Sequence, residues 1–586
     1  MAKRRSKQSR KWYSMDAHLH TPASSDYHQP EASFLDILQR ADKRGLDIIA
    51  FTDHNTVGGY RKMMEEIDHL RLLKTLNRIL PEEDAQLKEF ERLLEKILVL
   101  PGFEFTATFG FHILGLFPPE KTVREIEHIL LQLQIPPDQL DVGSVTVGAS
   151  SDVLTAYRLI NEAGGLAIAA HANSSNGVAM RGFPFGGQTK IAFTQDSNLH
   201  ALEVTDLEKR GRHTTQSFFQ GTKPEYPRRM HCIQGSDAHR LDTDSNRRKN
   251  LGVGERVTEV LLPERKFEAL KDLFLSNDFA RTRPRRVKSS QQDFDFIRTA
   301  REEGSNIVQD FHEQMTVRGG KLYAIIADVC AFANANGGTV YIGMDNDVKN
   351  PVKGINNPSQ AVRQIEKEIS NRISPVLNCS VDVHKTGGQS VLRVLVPRGD
   401  DPPYAVDDNK IYIREEAETN LAVRDEIVNL VKRSQTFHEV VESGEVVSLV
   451  TKTTPIVEPE LTEEVVEGTQ PRTGVEVVSS SKRNNQDYYA LRDLRNGNVV
   501  QNVTKKSARR LWHYAITTYS ALPKDLNKAN VKWQGNYGLL KDYKHGNRQI
   551  FDLVQKENGK TRYYFGVTED GVHGEWRKLV GLQDEG

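Results

Sequence analysis

The chain has 586 residues, with 79 lysines and arginines balanced by 79 aspartates and glutamates. That length exceeds one core and predicts about three or four domains, while zero net charge confines any attraction to a polyanion to local patches. Only Cys232, Cys330 and Cys379 occur, with no CxxC pair, which excludes a disulfide framework and a thiolate zinc site and fits a reducing compartment.

Residues 1–11 form a basic tail, Lys3-Arg4-Arg5 to Arg10-Lys11. No apolar stretch follows it, so it does not read as a signal peptide. No apolar run approaches the ~20 residues of a membrane-spanning helix. A cytoplasmic protein with no membrane partner is expected.

From residue 12 to about 285, short apolar strands alternate with amphipathic helices. Strands are expected at 48–51, 97–100, 112–116, 166–170, 201–204, 231–234 and 257–262, and helices at 34–44 and 151–163, among others. This alternation predicts an α/β barrel or a doubly wound sheet. Residues 60–97 interrupt the rhythm. Met63, Ile67, Leu70, Leu73, Leu76 and Leu80 recur at helical spacing, as do Leu87, Phe90, Leu94 and Ile97, with Pro81 between the runs. The pattern predicts an inserted helical hairpin whose stripes pack on each other or on a partner subunit.

The strand ends carry the chemistry. His18 and His20 stand at i and i+2 in Asp16-Ala17-His18-Leu19-His20, so on a strand both imidazoles point one way. Asp26 follows in a loop. Later strands end in Asp53-His54, Gly102-Phe103-Glu104, His171 and Asp237-Ala238-His239, and His112 opens another. An α/β barrel builds its site at the carboxyl ends of its strands. Imidazole and carboxylate without thiolate suit Zn²⁺, Mn²⁺ or Fe²⁺, and nine ligands exceed the needs of one ion, so two or three divalent ions are expected. Asp16 and Asp53 read either as residues orienting imidazoles or as strand-end solvation and helix capping. Arg210, Arg212 and His213 read as a phosphate contact or as a solvated loop.

Past a connector at 281–290, a second α/β region runs to about residue 434. It has expected helices at 321–335 and 360–373, strands at 339–344, 391–396 and 410–414, and a Gly337-Gly338 turn. Residues 439–470, with eight acidic residues and one lysine, read as a flexible linker. Residues 473–582 form a small α+β domain, and from Ser481 onward the chain holds 19 lysines and arginines against 11 acidic residues. Residues 505–514 read as a basic helix carrying Lys505, Lys506, Arg509 and Arg510. Its Trp512 and Tyr514 either join a nucleic-acid surface or belong to the core beneath a solvated face. Arg492, Arg495, Lys532, Lys541, Lys544 and Arg548 add charge nearby.

The succession HxH, Asp, TDH, GxE, HILG, AH and SDAH over residues 12–285 resembles the polymerase-and-histidinol-phosphatase (PHP) superfamily of metal-dependent phosphoesterases. All nine ligand positions are filled. The resemblance implies a distorted (β/α)7 barrel holding a trinuclear metal cluster. Residues 300–434 resemble the Schlafen-type, Alba-like domain through Ala331-Phe332-Ala333-Asn334-Ala335-Asn336-Gly337-Gly338, Tyr341-Ile342-Gly343-Met344-Asp345, Pro403 and Ile411-Tyr412-Ile413-Arg414. Some relatives cleave RNA through an E-x4-E-F-K segment. Here that stretch is Ser305 to Asp310-Phe311-His312, which lacks the first carboxylate and the lysine, so the resemblance implies binding or oligomerisation. Together these readings predict a metal-dependent nuclease with nucleic acid as partner, assembled as a homo-oligomer. The rivals are a phosphatase of small phosphate esters and a nucleic-acid-binding assembly protein.

Overall fold

The computed structural model describes residues 10–144, 151–174, 177–179, 187–209, 211, 214–244, 250–285, 295–443, 470–483, 486–495, 497, 499–505, 508, 510–523, 529–545, 548–557 and 559–582. These fall into two units, one running to residue 285 apart from 220–228, the other comprising 220–228, 295–443 and 470–582.

In the first unit, strands β1 (Lys11–Leu19), β2 (Ile48–Phe51), β3 (Leu98–Thr106), β4 (His112–Leu116), β5 (Leu166–Ala169), β6 (Ala201–Glu203), β7 (His231–Ile233), β8 (Thr258–Leu262) and β9 (Thr282–Pro284) form one sheet. Its order is β7-β6-β5-β4-β3-β2-β1-β8-β9. β1, β2 and β3 are mutually parallel, β4 is antiparallel to both neighbours, and β5, β6 and β7 are parallel again. Leu19 bridges Ala238 beyond β7, and the His20 amide donates to the Ala238 carbonyl (3.1 Å). This closes the seven strands into the distorted barrel expected, with β8 and β9 added antiparallel on the other flank of β1. β2 and β5 are buried along their whole length, as befits strands covered on both faces.

The surrounding helices are α1 (Phe34–Lys43), α2 (Gly58–Thr75), α3 (Pro81–Lys96), α4 (Val123–Gln132), α5 (Val153–Glu162), α6 (Gly187–Gln195), α7 (Thr215–Phe218) and α8 (Phe267–Leu275). Ser33 with Asp36 and Thr122 with Glu125 form capping boxes that start α1 and α4. The hairpin exists as α2 and α3, which pack on each other, and α3 also packs on α1. Met63, Ile67 and Leu70 of α2 and Leu87, Phe90 and Leu93 of α3 are buried. The predicted stripe fails at its far end, where Leu76 and Leu80 stand 52% and 59% exposed. Helical spacing specifies a face but not where along the helix the neighbouring element stops.

In the second unit, β10 (Gln309–His312), β11 (Gly338–Ile342), β13 (Ser380–Thr386) and β14 (Gln389–Val396) form one sheet, in the order β10-β11-β14-β13. Another holds β12 (Ile373–Ser374), β15 (Ala405–Val406), β16 (Lys410–Glu415) and β17 (Glu418–Leu421). Helices α9 (Phe296–Glu303), α10 (Lys321–Asn334), α11 (Pro358–Arg372) and α12 (Arg424–Ser443) accompany them. Gly337 has φ +79°, and a Cβ there would sit 2.8 Å from the Val396 carbonyl, so the glycine pair serves a tight turn. Asp310 accepts from Ser305 Oγ and its neighbour's amide on one oxygen and from the buried Arg414 guanidinium on the other (2.7 Å). The one carboxylate surviving from the E-x4-E-F-K pattern is thus engaged on both oxygens. α12 continues to residue 443, so the first part of the expected linker is helical. Residues 444–469 lie outside the described residues, as do residues 1–9 of the basic tail.

Strands β18 (Val475–Arg483), β19 (Gln486–Asp493), β20 (Val499–Val503), β21 (Lys532–Gln534), β22 (Tyr537–His545), β23 (Arg548–Glu557) and β24 (Lys560–Thr568) form the last sheet, with helices α13 (Arg510–Ala521) and α14 (Glu575–Val580). The basic helix expected at 505–514 is corrected. Its apolar residues Leu511, Trp512, Ala515, Ile516 and Tyr519 set the helical period, and the helix follows them rather than the charge. Lys505 precedes it, Arg510 is its first residue, and Lys506 and Arg509 lie outside the described residues. Trp512 is buried against Val475, Leu491 and Phe565, and the Tyr514 hydroxyl donates to buried Asp552 (2.6 Å). Both aromatics therefore serve the core. Arg492 donates to Glu476 (2.8 Å) and Arg495 to Glu416 (2.7 Å), which removes two of the charges expected to face solvent. No helix of the described residues is long and apolar enough to cross a membrane.

Arg495 and Glu416 are both largely buried, and Val423 packs on the same core as Trp512, so residues 470–582 are joined to the region before them. Removing one partner of a buried ion pair strands the other charge. Arg495→Ala is therefore expected to destabilise the second unit by about 3–5 kcal/mol. The Arg495→Ala, Glu416→Ala double variant should cost less than the sum of the single ones, measured as a double-mutant cycle by denaturant unfolding.

Candidate metal centre

All nine predicted ligands meet at the carboxyl end of the barrel strands. His18 lies in β1 and His20 just beyond it, with their Nε2 atoms 3.3 Å apart. His54 follows β2, Glu104 lies in β3, His171 follows β5, and Asp237 and His239 follow β7. His112 joins them because β4 is antiparallel. Its first residue pairs with Thr106 at the end of β3, which puts a strand's opening at the site.

Glu104 is the hub. It is 1% exposed, and its two oxygens face opposite ways into a ring of imidazoles. Oε1 lies 2.9 Å from His112 Nδ1, 3.2 Å from His171 Nε2 and 3.4 Å from His18 Nε2. Oε2 lies 2.9 Å from His54 Nδ1 and 3.5 Å from His20 Nε2. Asp237 Oδ1 stands 3.4 Å and 3.5 Å from the Nε2 atoms of His18 and His20. Asp26 Oδ2 stands 3.3 Å from His54 Nε2 and 3.2 Å from His239 Nε2.

The protonation equilibria follow from this crowding. Burial disfavours the charged form of Glu104, but His112, His18 and His54 outweigh it and hold the carboxyl well below the usual range. Burial likewise opposes the protonated ring of His18, yet Glu203, Glu104 and Asp237 hold it well above its ordinary value. The same contest, decided by Glu104 and Asp26, lifts His54 to about 10. His20, buried beside His239 and His54, is pushed down to about 3. These carboxylates require positive charge at their centre.

The donors fit metal ions. His54 Nδ1 and Glu104 Oε2 are buried without a hydrogen-bond partner, although only 2.9 Å separates them. Donor separations of 2.9–3.5 Å match the edges of a coordination polyhedron with bonds of about 2.1 Å, roughly 3.0 Å octahedral and 3.4 Å tetrahedral. Three groups could each hold an ion: His20, His54 and His239; His18, His20 and Asp237; and Glu104, His112 and His171.

An outer layer sets the rings. His18 Nδ1 donates to Glu203 Oε2 (2.8 Å), which also accepts the His171 amide (2.9 Å). His20 Nδ1 bonds Ser24 Oγ (2.9 Å), which donates to Asp53 (2.7 Å), and His171 Nδ1 bonds Ser174 (2.8 Å). Each bond turns Nε2 inward and selects its tautomer. Asp53 thus reaches His20 through Ser24. Asp16 accepts from the amide and hydroxyl of Ser236 and from the Gly254 amide, so it holds the exit of β7 rather than an imidazole. Glu203 was not anticipated, although it closes the predicted strand at 201–204 and obeys the same strand-end rule. Gly235 makes room for it, since a Cβ there would lie 2.5 Å from Glu203 Oε1 and 2.8 Å from His18 Cβ. Asn55, His171 and Asp237 hold positive φ at these strand ends, a cost of order 1–3 kcal/mol each that the surrounding bonds offset. Arg210, Arg212 and His213 lie outside the described residues.

Residues 295–423 match the family model Schlafen, AlbA_2. No match to a curated protein is found. Among solved structures the chain is similar to the lesion-specific endonuclease PfuEndoQ from Pyrococcus furiosus. The identity is 13% and the TM-score 0.30, over 47% of this chain and 58% of that one, so less than two thirds of that chain is spanned. It is similar to a two-domain protein from Bacteroides vulgatus containing a predicted PHP-like metal-dependent phosphoesterase (17%, TM-score 0.28, 49% and 69%). A third similar structure is Endonuclease Q in complex with a 27-mer duplex substrate with an abasic lesion at the active site (12%, TM-score 0.30, 46% and 58%).

Because Glu203 orients the His18 imidazole and holds the His171 backbone amide, Glu203→Gln is expected to lower metal affinity about 10–100-fold. Equilibrium dialysis against buffered Zn²⁺ or Mn²⁺ with elemental analysis reads this directly, and circular dichroism checks the fold. Affinity equal to that of the unaltered chain would show that Glu203 has no such role.

Proposed function

We propose that the chain is a metal-dependent phosphoesterase that hydrolyses phosphodiester bonds of nucleic acid at the Glu104 centre. The observation that carries this reading is a set of nine imidazole and carboxylate residues converging at one end of the barrel, one of them the buried Glu104, whose oxygens both face imidazoles. The ligand set is His18, His20, Asp26, His54, Glu104, His112, His171, Asp237 and His239, and it suits two or three ions of zinc, manganese or iron. Bound divalent ions there neutralise phosphoryl charge and bring the pKa of water towards neutrality. His18, His20 and Glu104 form the buried floor. Asp26, Asp237 and His239 are the solvent-facing donors, with side chains 47%, 40% and 18% exposed, so a phosphate approaches over them.

A polymer is favoured as substrate over a single phosphate by the surface of the last domain. Its arginines at 492 and 495 are committed internally, but Lys505, Lys532, Lys541, Lys544 and Lys556 are exposed. Lys541 lies 4.9 Å from the Tyr543 ring and Lys556 4.3 Å from the Trp533 ring. Neither aromatic belongs to a core cluster among the described residues. Cations beside partly exposed aromatics suit single-stranded nucleic acid, whereas a metabolite phosphatase needs no such surface.

Elemental analysis after Mn²⁺ or Zn²⁺ reconstitution should find two or three ions per chain, and one or fewer would overturn the cluster. His18→Ala with His20→Ala should abolish hydrolysis of labelled ssDNA, dsDNA and RNA while the barrel stays folded. Hydrolysis of mononucleotides alone, with polymers untouched, would select the small-molecule phosphatase instead. Inertness of the metal-loaded chain towards both would leave an assembly protein.

Polynucleotide binding should weaken with salt at a log–log slope of about −0.7 per phosphate contact on single strands. Lys532→Ala, Lys541→Ala and Lys544→Ala together should flatten that slope by about 2. An unchanged slope in fluorescence anisotropy would move the grip elsewhere on the chain.

A further inference from the structure

The α2–α3 hairpin is anchored at its base and bare at its tip. Met63, Ile67 and Leu70 sit in the core, but one turn further Leu72, Leu76 and Leu80 are 54%, 52% and 59% exposed. Leu72 lies in the last turn of α2 and Leu76 caps its end, at i and i+4, and Leu80 is the N-cap of α3, so all three lie at the tip of the hairpin. Such exposure on an extended helical arm marks a contact surface rather than scattered surface leucines.

The charges around it identify the occupant. Lys74 is paired with Asp84 (3.3 Å) and Arg71 with Asp68 (3.3 Å) inside the hairpin. Arg78 and Glu82, two residues either side of Leu80, are exposed and make no ion pair among the described residues. They carry opposite signs within one small patch. A ligand of uniform charge would be attracted by one and repelled by the other. A second hairpin related by a two-fold axis presents Glu82 of the partner subunit to Arg78, and the reverse, while the leucines meet across the axis. That is the self-complementarity an isologous contact requires.

We infer that two copies of this chain associate tip to tip through Leu72, Leu76 and Leu80 of the hairpin, with Arg78 and Glu82 pairing across the two-fold axis. Three half-exposed leucines per copy offer less than the roughly 800 Å² per partner of a standard stable interface, so the association is reversible and in the micromolar range.

Analytical ultracentrifugation of the full chain from about 1 to 100 µM spans that range. The mass should rise from 66.2 kDa towards twice that value. Leu72→Glu with Leu76→Glu should hold the chain at the monomer mass throughout, with its circular dichroism spectrum unchanged because both side chains stand outside the core. Arg78→Glu should weaken association, and Arg78→Glu combined with Glu82→Arg should restore it. A monomer at the highest concentration would overturn the inference, and so would a dimer that survives the double leucine variant. Failure of the charge swap to restore association would remove the two-fold pairing and with it the argument for a second copy.

Discussion

A carboxylate inside a barrel is stable only if positive charge meets it there, and Glu104 imposes that condition on the first unit. Burying an ionised group without partners costs several kcal/mol even after relaxation. Five imidazoles answer the charge, from His18, His20, His54, His112 and His171. His54 Nδ1 and Glu104 Oε2 nevertheless stay buried without hydrogen-bond partners. Divalent ions would satisfy every donor at once.

Much of the local backbone serves this arrangement. The reversal of β4 brings His112 to the site end of the sheet. The hydrogen bonds of Ser236, Asp237 and His20 across the β1–β7 seam bring Asp237 and His239 against His20. Positive φ at His171 and Asp237 aims side chains that a regular strand exit would send elsewhere. The bare α-carbon of Gly235 lets Glu203 reach His18. Each feature costs conformational freedom, and each is repaid only when the ligands converge.

The second unit follows another logic. Its buried charges are closed on themselves: Arg414 with Asp310, Arg495 with Glu416, and Glu476 with Arg492 and Arg562. Groups engaged this way fix the register between strands and helices and are not available for catalysis.

What the sequence determined by itself is which histidines and carboxylates stand at successive strand ends, and the class of fold. Histidines two apart on a strand, and acidic or imidazole residues ending successive apolar runs, are local patterns, so the periodicity of a strand and the position of its end suffice to read them. The β4 strand at His112–Leu116 was legible to the residue for the same reason. The tertiary structure decided everything that depends on which distant residues meet. Glu203 became a partner of His18 only because β6 passes beneath a site 185 residues away in the chain. Arg495 left the solvent because Glu416 is presented to it, Trp512 went into a core because α13 lies across the last sheet, and Leu76 stands half-exposed at the tip of the hairpin. Spacing along one segment specifies a direction for each side chain. The burial and charge of whatever stands in that direction are set by packing between segments, and a single sequence does not carry that information.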